Sequence, residues 1–220
     1  MVLSNDGGTV GGLMSAAPMA NKPYTVSEYN HSFPNRYQTE TMLFITAYSS
    51  FHDIDGLMIF HYNDNDEWET DMVTDYFNIG RNTAMMALVP SCATAYRNGL
   101  ISPAQQTILV NYAPVDYLLL PKRDNGDWQG PVVIPKKFSL QHAVRAQSYS
   151  STVPFDISSF PLEPASPYIT DTQEIEWDAA GTLTVATPHF SGAAGFLNLT
   201  SGRTIGQIAI TSASDFGVLT

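Results

Sequence analysis

Apolar positions change their period repeatedly in the first hundred residues, and each change marks an element. Residues 23-28 (Pro23-Tyr24-Thr25-Val26-Ser27-Glu28) read as a short strand ending in a carboxylate, and a polar turn, Ser32-Phe33-Pro34-Asn35, follows it. From Arg36 to His52 the residues Tyr37, Met42, Ile45, Tyr48 and Phe51 recur near helical spacing, which predicts a helix over 36-52. Residues 56-62 (Gly56-Leu57-Met58-Ile59-Phe60-His61-Tyr62) then form a continuous apolar run of strand length, the pattern of a parallel strand covered on both faces. Strand, helix and strand in that order make a βαβ unit with a right-handed crossover. After an acidic loop from Asn63 to Asp75, a second helix is predicted over 82-98. Pro90 should kink or split it, because proline removes one ladder donor, and Gly99 should close it.

From Ile101 onward the texture changes. Short β-rich runs (Thr107-Tyr112, Tyr117-Leu120, Val132-Ile134, Ile175-Trp177, Thr182-Thr187 and Ile205-Thr211) alternate with Pro, Gly, Asn and Ser turns. This rhythm predicts a sandwich or similar antiparallel module over 101-220. Residues 1 to about 22 read as a loop punctuated by Gly7-Gly8 and Gly11-Gly12, with room for a short helical turn. Neither a GxGxxG nor a GK[ST] pattern is present, so no phosphate cradle is read there.

Composition narrows the function classes. With 44% hydrophobic and 14% charged residues the chain has the balance of a globular protein. A net charge of -11 disfavours nucleic acid and anionic membrane as partners, since both reward basic patches. The single cysteine, Cys92, excludes an intrachain disulfide or a cysteine-based metal cluster and reads as a buried structural thiol. No run approaches 18 apolar residues and no signal peptide is evident, so the compartment is not legible.

The chemistry concentrates at Glu28. A carboxylate at the C-terminal end of a parallel strand is where (β/α)8 enzymes place catalytic groups. The stretch Lys22-Pro23-Tyr24-Thr25-Val26-Ser27-Glu28-Tyr29-Asn30-His31, the Phe33-Pro34-Asn35 turn, Glu40, Ala47-Tyr48 and Asp53-Ile54-Asp55-Gly56-Leu57-Met58-Ile59-Phe60-His61-Tyr62 resemble the last two strands of clan A retaining glycoside hydrolases. The likeness is to β-galactosidase-like members. Thr182-Leu183-Thr184-Val185-Ala186-Thr187-Pro188 and Gly195-Phe196 resemble the β-module that follows the barrel in those proteins. The resemblance implies an α+β chain: the last two βα units of a (β/α)8 barrel over 1-100, then an antiparallel β-sandwich-like accessory domain over 101-220. It implies Glu28 as the nucleophile. Asn30, His31, His61, Tyr62 and Asn63 become sugar-binding residues; Trp68, in the acidic loop beyond the resembling stretch, can stack on a sugar face or simply pin the loop to the barrel. The implied partner is a carbohydrate, and neither cofactor nor metal is implied.

Retaining hydrolysis needs a second carboxyl about 5–5.5 Å from the first. In clan A it commonly sits in an Asn-Glu pair, and no such pair occurs in this chain. A barrel alone takes about 250 residues, more than the 220 present. The chain therefore reads as truncated at both termini, with very low activity in isolation and a tendency to self-associate or recruit the missing barrel half.

Other readings stay open at this level. Glu28 can be a strand-end carboxylate capping a turn or pairing with Arg36. His31 and His61 with Asp53 or Asp55 lack metal-ligand spacing. The run Asp64, Asp66, Glu67, Glu69, Asp71 resembles a calcium loop but lacks its mid-loop glycine, and reads as a solvated acidic loop. Asn30-His31-Ser32 and Asn198-Leu199-Thr200 match glycosylation acceptors. A non-enzymatic alternative is a carbohydrate-binding or structural β-module using Trp128 and Trp177.

Overall fold

A computed structural model describes residues 3, 8–15, 18–64, 69–115, 136–152, 164–211 and 216–220. Near the N-terminus, a helical turn α1 (Gly8–Val10) runs into a π-helical turn (Gly11–Ser15). Val10 and Met14 from these turns are fully buried, so the glycine-rich segment is partly core rather than loop.

The βαβ order is present. β1 (Thr25–Tyr29) and β2 (Gly56–Ile59) are parallel neighbours, and α2 (Glu40–Phe51) lies between them in sequence. The helix starts later than its apolar period suggests, because residues 36–39 form a turn. All twelve residues of α2 are buried, the condition of a helix enclosed by the core rather than laid on it. β2 is shorter than the apolar run predicts and is not covered on both faces: Met58 is 48% exposed.

α3 (Thr83–Arg97) begins at Asn82, whose Oδ1 accepts the Met85 N–H at 3.1 Å. It ends in a Schellman motif around Gly99 (φ 60°), with Leu100 N bonded to Ala95 O and Gly99 N to Tyr96 O. Pro90 does not split it. That residue lies on the exposed side of the helix, where its ring meets solvent instead of a packed neighbour.

Beyond residue 100, β3 (Thr107–Asn111) and β4 (Ala143–Ser148) form a second parallel pair. Then come β5 (Tyr168–Ile169), β6 (Ile175–Asp178), β7 (Thr182–Ala186), β8 (Ser191–Phe196), the hairpin β9 (Thr204–Ile205) and β10 (Ile208–Ala209), and β11 (Phe216–Leu219). The main sheet is antiparallel in the order β11-β8-β7-β6-β5. The run Ile205–Thr211 is thus two short strands about the Gly206 turn (φ 55°), not one strand. The predicted strands at 117–120 and 132–134 lie outside the described residues.

One core cluster joins both halves. Phe44 and Tyr48 of α2 meet the ring of Trp177 on β6 with centroids 5.6 and 5.7 Å apart, and Leu43, Ile101, Leu140, Leu183 and Val185 fill the space around them. Among the described residues the fold is mixed α+β, with three α-helices, several sheets and no closed barrel.

Candidate functional site

Parallel pairing brings the C-terminal ends of β1 and β2 to one place, and the residues that follow them form the candidate site. Glu28 is the penultimate residue of β1 and is exposed. It falls where the register slips, since Val26 faces Leu57 but Tyr29 faces Ile59. A bulge of this kind turns a side chain away from the regular alternation of the strand. Among the described residues Glu28 has no hydrogen-bond or ion-pair partner, so a structural role as a turn cap or as the mate of Arg36 is unsupported; Arg36 lies over the Tyr37 ring, 5.8 Å from its centroid.

The carbonyl of Phe77 ties the two strand ends together. It accepts Asn30 Nδ2 at 2.8 Å after β1 and the His61 N–H at 3.1 Å after β2. The returning loop continues this pairing: Ile79 N donates to His61 O at 3.0 Å and Gly80 N to Tyr62 O at 2.9 Å. Gly80 has no room for a side chain, because an added Cβ would meet Tyr62 O at 2.9 Å and the Tyr62 ring at 3.1 Å. Phe33 N closes the same edge by donating to Tyr76 O at 2.6 Å. Of the predicted sugar-binding residues, Asn30, His61, Tyr62 and Asn63 therefore converge on one end of the strand pair, where Phe33, Tyr62, Tyr76 and Phe77 leave aromatic surface exposed. Trp68 and Trp128 lie outside the described residues.

His31 behaves differently. Its side chain is only 10% exposed and turns inward, with Nε2 3.0 Å from the Tyr29 hydroxyl and Nδ1 3.8 Å from Glu40 Oε1. Burial lowers its pKa to about 4 and, with the Glu40 carboxylate nearby, raises that of Tyr29. The ring is neutral at pH 7 and faces the core instead of a ligand. Its backbone is held by Gln38 Nε2 on His31 O at 2.6 Å, and Gln38 Oε1 in turn accepts Asn82 Nδ2 at 2.8 Å. This chain of bonds links the loop after β1 to the start of α3.

Trp177 is no sugar platform. It is fully buried, and its Nε1 donates to Leu3 O at 2.9 Å. Cys92 is buried as expected, and desolvation pushes its thiol up to about 11.

A concavity of about 680 Å³ lies at the other end of the strand pair from Glu28, lined in part by Lys22, Asp53, Asp55 and Arg145. Two of its charged groups are used structurally. Asp55 Oδ2 accepts the Tyr24 N–H at 2.9 Å, and Arg145, half-buried, donates to the His52 and Val144 carbonyls. In parallel α/β architectures the N-terminal strand end is the stabilising face, and the C-terminal end carries the chemistry.

No family model, curated protein or solved structure matches this chain. No helix among the described residues is long and apolar enough to cross a membrane.

Proposed function

We propose that this chain carries the nucleophile segment of a retaining glycoside hydrolase: the last two βα units of a (β/α)8 barrel followed by a β-sandwich-like accessory module. The observation that supports it best is Glu28, solvent-open at the C-terminal end of a parallel strand, on the same rim as Asn30, His61, Tyr62, Asn63 and the exposed aromatics. An exposed carboxyl group with no partner among the described residues is open to approach by an anomeric carbon. The second carboxyl that must protonate the leaving oxygen has no candidate motif in the sequence. Among the described residues the parallel sheet of β1 and β2 has no third strand, and its edges are where further strands would add. The isolated chain accordingly hydrolyses unactivated glycosides at or near background, and it pairs with itself or with a polypeptide supplying strands.

A 2-deoxy-2-fluoroglycosyl fluoride separates the two functions, since fluoride leaves without an acid. Glu28 Oε would bond to C1 as the C1–F bond breaks, leaving a stable ester. Mass spectrometry should find one adduct on the peptide containing Glu28, absent in Glu28→Gln. No adduct across a panel of sugars, or unactivated turnover insensitive to Glu28→Gln, would sink the reading. Because Glu28 is exposed and unpaired among the described residues, the variant should fold within about 0.5 kcal/mol of the parent.

A further inference from the structure

The rim holds a group of possible ligands of which the glycosidase reading uses only His61. His61 Nε2, an Asp64 carboxylate oxygen and an Asp75 carboxylate oxygen all lie within 4.8 Å of one another. We propose that these three side chains bind one divalent transition-metal cation, independently of whether Glu28 is a nucleophile.

Two observations separate the group from a chance meeting of acidic residues. His61 Nε2 is shut away from solvent and has no hydrogen-bond partner among the described residues. Its distance to Asp75 Oδ1 is 3.6 Å, too long for a hydrogen bond. That separation is within ion-pair reach, and it also matches the roughly 3.4 Å between two ligands each about 2.1 Å from a shared tetrahedral ion.

The backbone keeps the three groups in register. His61 is bonded on both sides, to Phe77 and Ile79. Asp75 Oδ1 accepts the Phe77 N–H at 2.9 Å, the kind of outer contact that fixes a ligand's orientation. Asn78, only 2% exposed, donates at 3.2 Å to both Asn63 Oδ1 and Thr74 Oγ1, the residues just before Asp64 and Asp75. Sequence spacing does not advertise the site, because its ligands come from two loop arms. One imidazole and two carboxylates favour zinc or manganese over calcium or magnesium and leave a coordination position open.

The test uses the whole chain, stripped with a chelator and dialysed, then titrated with zinc chloride and with manganese chloride by calorimetry. One equivalent should bind, and Asp64→Asn should weaken it at least tenfold. Asp64 is exposed, so that variant is not a folding lesion; Asp71→Asn in the same loop serves as the control and should change nothing. On zinc addition the His61 Nε2 resonance should shift in nitrogen-15 NMR while the other histidines stay in place. No saturable binding, equal losses in Asp64→Asn and Asp71→Asn, or binding that leaves His61 unmoved would each mean an adventitious ion only, and would overturn the site.

Discussion

Lowering the pH from 7 to 4.5 should destabilise the fold through His52, the residue that closes α2. The ring is fully buried, packed 5.3 Å from the Phe51 ring centroid and 6.4 Å from that of Tyr48. Its Nε2 lies 2.8 Å from Ser139 O. A carbonyl can only accept, so Nε2 carries the hydrogen and Nδ1 is a bare lone pair with no partner. Protonation would place a charge on Nδ1 inside the core, and desolvation therefore drops the pKa from 6.5 to about 3. A folded value below the unfolded one means that the unfolded chain takes up the proton first. Stability then falls as pH drops through 6.5 and levels only below the folded value. Between pH 7 and 4.5 the unfolded state gains about two pKa units of advantage, or about 2.5 kcal/mol. Urea unfolding of the parent and His52→Gln at both pH values isolates this contribution. The glutamine amide can still donate to Ser139 O, so the variant should lose about 1 kcal/mol at pH 7 but show a pH dependence smaller by about 2.5 kcal/mol. His31, also lowered by burial, titrates alike in both proteins and cancels. Parallel pH slopes for the two would refute the reasoning.

Gly195 sits at φ 116°, and an added Cβ would lie 2.0 Å from Gly181 O. Gly195→Ala should cost at least about 3 kcal/mol in denaturant unfolding, because both strain and a backbone clash oppose it; a loss below 1 kcal/mol would contradict this geometry. With its thiol at about 11, Cys92 is roughly one part in a thousand thiolate at pH 8. Ellman's reagent should react with it only in urea, and prompt native labelling at the unfolded rate would show the site is open.

What the sequence disclosed follows from which residues carry an unambiguous period. α2 was legible because Met42, Ile45, Tyr48 and Phe51 fall on one helical repeat, although burial on every side is invisible in that repeat. α3 was legible at its C-terminal end through Gly99, whose chemistry closes a helix, while the Asn82 cap at its start is seen only in the structure. β8, Ser-Gly-Ala-Ala-Gly-Phe, carries no β-branched residue, and only its neighbours β7 and β11 make it a strand. Trp177 was offered as a surface aromatic, yet it shares a strand face with Ile175, and that alternation points inward. At the site, the convergence of Asn30, His61, Tyr62 and Asn63 follows from parallel pairing and could be read in advance. Asp75, Phe77 and Asn78 could not, since they reach the rim through an irregular acidic loop whose pairing with His61 leaves no periodic trace.

The total enclosure of α2 has a consequence for amide exchange. A helix whose every side chain is buried offers no face that can peel away by itself, so its protons should leave only when the whole molecule opens. The loops beyond β1 and β2 are held by scattered single bonds to Phe77, Tyr76 and Gln38. They should exchange well before α2 does, because opening them needs the loss of only a few bonds.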